Sequence, residues 1–154
     1  MNRAFTALVC ALAGVAGFSA VASAQSGASA HVSRSASVDL RHTSLGSILT
    51  SASGFTLYEF TRDHGDHDSC VTISGCSSAW PALETSAAPT AGPGVRSSLL
   101  STIRLSGGAK QITYAGHPLY LYSGDSRPGS TSYVGAQSFG GSWYALSASG
   151  GAVR

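Results

Sequence analysis

Gly54-Phe55-Thr56-Leu57-Tyr58-Glu59-Phe60-Thr61-Arg62-Asp63 returns sixty-two positions later as Gly116-His117-Pro118-Leu119-Tyr120-Leu121-Tyr122-Ser123-Gly124-Asp125. Further along, Trp80-Pro81-Ala82-Leu83 returns as Trp143-Tyr144-Ala145-Leu146, at an offset of sixty-three. Two landmarks that hold one offset to within a residue identify a duplication. Upstream of each, Ser47 to Thr50 and Lys110 to Tyr114 occupy equivalent places as runs of alternating apolar residues.

Each copy reads as strands and turns. Leu57 to Phe60 and Leu119 to Tyr122 are short, aromatic and bounded by Gly and Asp, the usual setting of a strand. Alternate side chains of a strand share a face. Tyr58 with Phe60, and Tyr120 with Tyr122, are therefore expected on one face, and Leu57 and Leu119 on the other. Gly54 and Gly116 stand where a tight turn would feed the strand. One expected hairpin joins Ile48–Ser51 to Thr56–Phe60, and another joins Gln111–Tyr114 to Pro118–Tyr122. Val38 to Leu40 and Ile103 to Leu105 add a strand before each pair, and Trp143 to Ser147 closes the second unit.

A single copy of about 50 ordered residues has a marginal core. Two copies packing their aromatic faces together do not. The expected fold is all-β: two tandem β-repeats packed into one pseudo-two-fold-symmetric body, sandwich- or barrel-like. Repeat 1 covers residues 38–83 and repeat 2 covers 99–150. Residues 84–98 carry Pro89, Gly92, Pro93 and Gly94 and read as the linker.

The N-terminus reads as a targeting segment. Arg3 is followed by an uncharged stretch of small and apolar residues to Ala22, and Ala22-Ser23-Ala24 has small residues where a signal peptidase inspects them. Residues 1–24 are thus expected to be a signal peptide and 25–37, rich in Ser and Ala, a flexible tail. The mature chain then has no transmembrane segment. Only 10% of the 154 residues are charged, against about 25% in an ordinary soluble domain. The net charge is +2 with scattered basic residues, which excludes the clustered footprint of a nucleic-acid binder.

Cleavage also removes Cys10 and leaves Cys70 and Cys76, an even count in an oxidising compartment. A disulfide is expected, closing a short loop worth roughly 2 kcal/mol. The alternative is a thiolate metal site, for which two cysteines need further ligands and lack the CxxC spacing.

The repeated strand, its Asp and the later Trp resemble a bacterial family of predicted lipoproteins, also described as a secreted repeat of unknown function, with a Tyr-x-aromatic-x-x-Asp motif. Tyr58, Phe60 and Asp63 fit that motif, as do Tyr120, Tyr122 and Asp125. Cys70, Cys76, Trp80 and Pro81 match its Cys-plus-Trp-Pro element, and Gln111, Tyr114, Gly116 and Pro118 to Tyr120 look like its second-repeat signature. The resemblance implies an exported tandem repeat with no established reaction. This chain departs from the pattern in having no lipidation Cys at the cleavage point.

The candidate structural residues are Tyr58, Phe60, Asp63, Trp80, Tyr120, Tyr122, Asp125 and Trp143. Asp63 and Asp125 each close a strand, where a carboxylate accepts backbone N–H groups of the next turn or serves as a ligand presented twice. The aromatic set, with Tyr144, either fills the core or lines a carbohydrate or peptide cleft. His117 is placed as a turn cap. Asp63, His64, Asp66, His67 and Asp68 bring carboxylates and imidazoles together, a donor set suited to Zn or Cu. The second copy has no counterpart to it.

No Gly-x-Ser-x-Gly elbow, His-Glu-x-x-His or phosphate-cradling loop is present. The sequence therefore points to a non-catalytic secreted or cell-envelope protein. It would act by binding or structural association with an envelope or extracellular partner and needs no cofactor. The alternative is an exported metal-binding or redox-accessory protein that uses the loop 63–68.

Overall fold

The computed structural model describes residues 35–65 and 67–154. The signal peptide expected at 1–24, and the expected tail up to residue 34, lie outside the described residues. Strands follow in the order β1 (Ser37–Thr43), β2 (Gly46–Ser51), β3 (Tyr58–Phe60), then a 3₁₀ turn (Cys70–Thr72) and α1 (Cys76–Ala79). Next come β4 (Glu84–Thr85), β5 (Thr90–Ala91), a 3₁₀ turn (Ser97–Leu99), β6 (Leu100–Arg104), β7 (Lys110–Tyr114) and β8 (His117–Pro118). The chain ends with β9 (Ala136–Ser138), β10 (Gly141–Leu146) and β11 (Ala152–Val153). The protein is all-β as expected. Its strands form three small open sheets and no closed barrel among the described residues.

The two copies begin alike. β1 and β2 pair antiparallel from Val38 opposite Ser51 to Thr43 opposite Gly46. β6 and β7 pair antiparallel from Leu100 opposite Tyr114 to Arg104 opposite Lys110. From β7 the chain reverses into β8 through Ala115 and Gly116, both at positive φ (51° and 84°), which is the two-residue hairpin geometry that matches strand twist. Gly54 also has positive φ (81°), at the turn read from the sequence.

The copies then exchange strands. Tyr58 and Tyr120, equivalent by the repeat, face each other and swap two backbone hydrogen bonds of 2.9 Å. On the far side of Tyr58 lies β10, with Trp143 opposite Phe60 and Ala145 opposite Tyr58. On the far side of Tyr120 lies the segment before β4: Leu83 donates to Leu119 at 2.8 Å and Leu121 to Pro81 at 2.9 Å. The expectation that Trp143 to Ser147 closes its own unit is corrected here: the closing strand of each copy pairs with the motif strand of the other. The reason is that pairing Tyr58 with Tyr120 leaves one free edge on each motif strand, and each edge needs backbone partners.

The alternation read from the sequence divides the core. Leu57 and Leu119 pack with Val38, Leu49, Leu83, Ile112, Tyr114 and Leu146. Tyr58, Phe60 and Tyr120 pack with Trp80, Trp143 and the two cysteines on the other face. Residues 84–98 hold more structure than punctuation. β4 pairs with β7, and β5 runs parallel to β1. The approach at β5 is close: a Cβ on Gly92 would collide with Asp39 Oδ1.

Candidate functional site

Each motif tyrosine reaches the motif aspartate of the other copy. The Tyr58 hydroxyl donates to Asp125 Oδ2 at 3.1 Å, and the Tyr120 hydroxyl donates to Asp63 Oδ2 at 2.8 Å. Asp63 and Asp125 also begin alike, their N–H groups bonding back to Phe60 and Tyr122 at 3.0 and 3.2 Å. Asp63 Oδ1 accepts the Ser69 N–H at 2.8 Å, the backbone role expected of it. Burial raises both carboxyls above their ordinary value; the Ser69 N–H and the Tyr120 hydroxyl offset this at Asp63, and Ser130 and Tyr58 do so at Asp125. Burial, with the facing carboxylate, pushes both phenols far up, so Tyr58 and Tyr120 stay protonated donors.

The rings repeat the exchange. Trp80 lies flat on Trp143, centroids 4.0 Å apart and planes 2° apart. Phe60 continues the stack beyond Trp143 at 4.1 Å, and Tyr122 continues it beyond Trp80 at 4.2 Å. Tyr58 stands edge-on to Trp80 at 5.1 Å, and Tyr120 edge-on to Trp143 at 5.2 Å. Phe60 and Tyr122 thus each stack on the tryptophan of the other copy, and four rings form a column through the aromatic core. Of the aromatic set only Tyr122 and Tyr144 are half-buried; the rest are buried. Tyr144 lies under the Arg154 guanidinium, 5.1 Å away.

Cys70 and Cys76 are joined as a disulfide with Cα atoms 5.3 Å apart. The bridge ties the 3₁₀ turn to the first residue of α1, and Gly75 at positive φ (76°) makes the reversal between them. The sequence reading contained no helix here. A helix of four residues carries too little periodicity to be seen, and the bridge holds its start.

The acidic-histidine loop is divided by burial. Asp63 and Asp68 turn inward: Asp68 is buried, accepts the Val71 N–H at 3.1 Å, and its charge adds to the field on the Tyr120 hydroxyl. His64 and His67 are exposed and linked through their backbones, His67 N–H to the His64 carbonyl at 3.2 Å. Asp66 lies outside the described residues. Among the described residues no three His, Cys, Asp or Glu side chains are gathered as a metal site.

Sequence reasoning missed one pair. His117, placed as a turn cap, holds Glu59 Oε2 through Nδ1 at 2.7 Å. Glu59 is a charge inside a buried aromatic strand, and that was the available signal. It comes from the first copy and His117 from the second. The bond to Glu59 raises the histidine's pKa, burial opposes this, and Asp63 adds to it.

Among the described residues no helix is long and apolar enough to cross a membrane. No curated protein matches the chain, and no solved structure matches it. Residues 101–147, from within β6 to the residue after β10, match the family described as a secreted repeat of unknown function, so the second copy is similar to that family's repeat.

Proposed function

We propose that the chain is a non-catalytic protein of the cell envelope or the medium, in which two copies of one β-unit form a single body that acts by binding or structural association. One observation carries this reading: the residues the copies share are engaged with each other. Tyr58, Tyr120, Asp63, Asp125, Trp80 and Trp143 bond or stack across the copies in reciprocal pairs. A buried tyrosine donating to a half-buried carboxylate positions a fold. Binding then falls to surfaces the two copies do not share.

The test is to purify the exported protein from its own host, analyse it for metal and crosslink it in place. The reading expects a defined crosslinked partner and no stoichiometric metal. Stoichiometric zinc or copper that disappears in a His64→Ala, His67→Ala variant would replace it with the metal-binding reading.

A further inference from the structure

The tip of the β1–β2 hairpin and the loop after Asp125 enclose an open cleft of about 380 Å³, lined by Arg41, His42, Thr43, Arg127 and Thr131 among others. No carboxylate contributes to that lining. Neither the Arg41 nor the Arg127 side chain makes an ion pair or hydrogen bond among the described residues. The carboxylates nearest in sequence are engaged elsewhere: Asp39 accepts the Ser37 hydroxyl at 2.8 Å, and Asp125 accepts the Tyr58 hydroxyl at 3.1 Å.

Arg41 is held in place by packing. It lies against two glycines, so that a Cβ on Gly54 would fall 2.6 Å from its Nη2 and one on Gly129 would fall 3.1 Å from its Cδ. Both glycines have positive φ (81° and 74°), and the Gly129 N–H donates to the Gly54 carbonyl at 2.8 Å. The loop that carries Arg127 is thereby pinned beside the strand that carries Arg41. Guanidinium groups are planar forks that take two oxygens of one oxyanion, and a pre-set fork loses less freedom on binding.

The other copy supplies a contrast. Arg104, the last residue of β6, lines a cleft of about 320 Å³, but His67 and Asp68 line it too. There an acid side chain shares the lining with the cation; Arg41 shares a neighbouring cleft with Asp39, but in the cleft it lines with Arg127 no acid takes part. We infer that the Arg41–Arg127 cleft binds a phosphate-type oxyanion, either free or as the head of a small phosphomonoester, with the Thr131 hydroxyl adding a hydrogen bond. This goes beyond the reading above and does not depend on it.

The experiment follows the arginine Nε–Hε signals of the ¹⁵N-labelled full chain during titration with sodium phosphate, ionic strength held constant with sodium chloride. A saturable shift of the Arg41 and Arg127 signals is expected. R127Q should weaken binding about tenfold or more, the loss of charge-assisted hydrogen bonds, while R104Q leaves it unchanged. R41Q should act like R127Q, but it also alters packing on two glycines, so R127Q is the deciding variant. A parallel titration with glycerol 3-phosphate names the source: tighter binding than phosphate supports a phosphomonoester head, and equal or weaker binding supports the free anion. No saturation, the same response to chloride alone, or equal loss in R104Q overturns the site.

Discussion

Tyr58 and Tyr120 each set a phenol against a carboxylate from the other copy, so one hydrogen bond is made twice with donor and acceptor exchanged. Asp63→Ala and Asp125→Ala should each lower stability by about 1.5–3 kcal/mol, the range for a hydrogen bond to a charged group. Asp→Asn should cost less at both positions. Its amide oxygen still accepts, and it avoids the burial of charge that raises both carboxyls. Thermal melts of the four single variants check this, and a parent-like melt for both alanine variants would sink the structural role. His117 adds a pH dependence. Its pKa is raised from 6.5 by Glu59, with Asp63 contributing. A raised histidine contributes stability that is full below its unfolded value and is lost as pH rises through the folded value. The gap in melting temperature between the parent and His117→Gln should therefore narrow from mildly acidic to mildly alkaline pH. A constant gap would show that the pair holds the fold by packing alone.

Strands β3 and β10 and the segment before β4 are short, and none would persist alone. They hold because the ring column runs through them. Stacked or edge-on pairs each add about 0.5–1.5 kcal/mol beyond the area they bury. Trp80→Ala and Trp143→Ala should each cost about 3–5 kcal/mol. Because the two rings touch at 4.0 Å, the double variant should depart from the sum of the singles. Additivity in urea unfolding would mean that the column is not one cooperative unit. The disulfide acts on the neighbouring element. Replacing Cys70 and Cys76 together with serine should cost roughly 2 kcal/mol by the loop-entropy relation, read as a lower denaturation midpoint. Two free thiols in the denatured, unreduced parent would contradict the bridge.

At the scale of the whole molecule, exchanged strands make either half incomplete. A half containing residues 38–83 lacks β10 as the partner of β3, and a half containing 99–150 lacks the segment of Pro81 and Leu83 beside Leu119 and Leu121. Nicking the chain between β4 and β5, where Ser86 to Pro89 belong to no strand, should leave the two pieces associated and folded. Each piece expressed alone should show no cooperative melt. A single half that unfolds cooperatively as a monomer would make the copies independent domains. N-terminal sequencing of the exported protein should find Gln25 first; Met1 on membrane-bound material would point to a retained anchor.

The residues themselves determined that a motif is repeated, that turns fall at Gly54 and Gly116, and which side chains of the motif strands share a face. Period-2 alternation and a repeated Gly, Tyr and Asp are local properties, written within a few positions of one another. Thus the split of Leu57 from Tyr58 and Phe60 into different cores was legible in advance. So was the pairing of two cysteines six positions apart, because few partners remained for either. What only the tertiary structure decided is which copy each group serves. Strand pairing depends on edges left free by distant segments, so nothing around Trp143 says that it will lie beside Phe60 rather than within its own unit. The Glu59–His117 pair was hidden for the same reason, since it joins residues of different copies. The short helix after Gly75 was hidden because four residues show no periodicity.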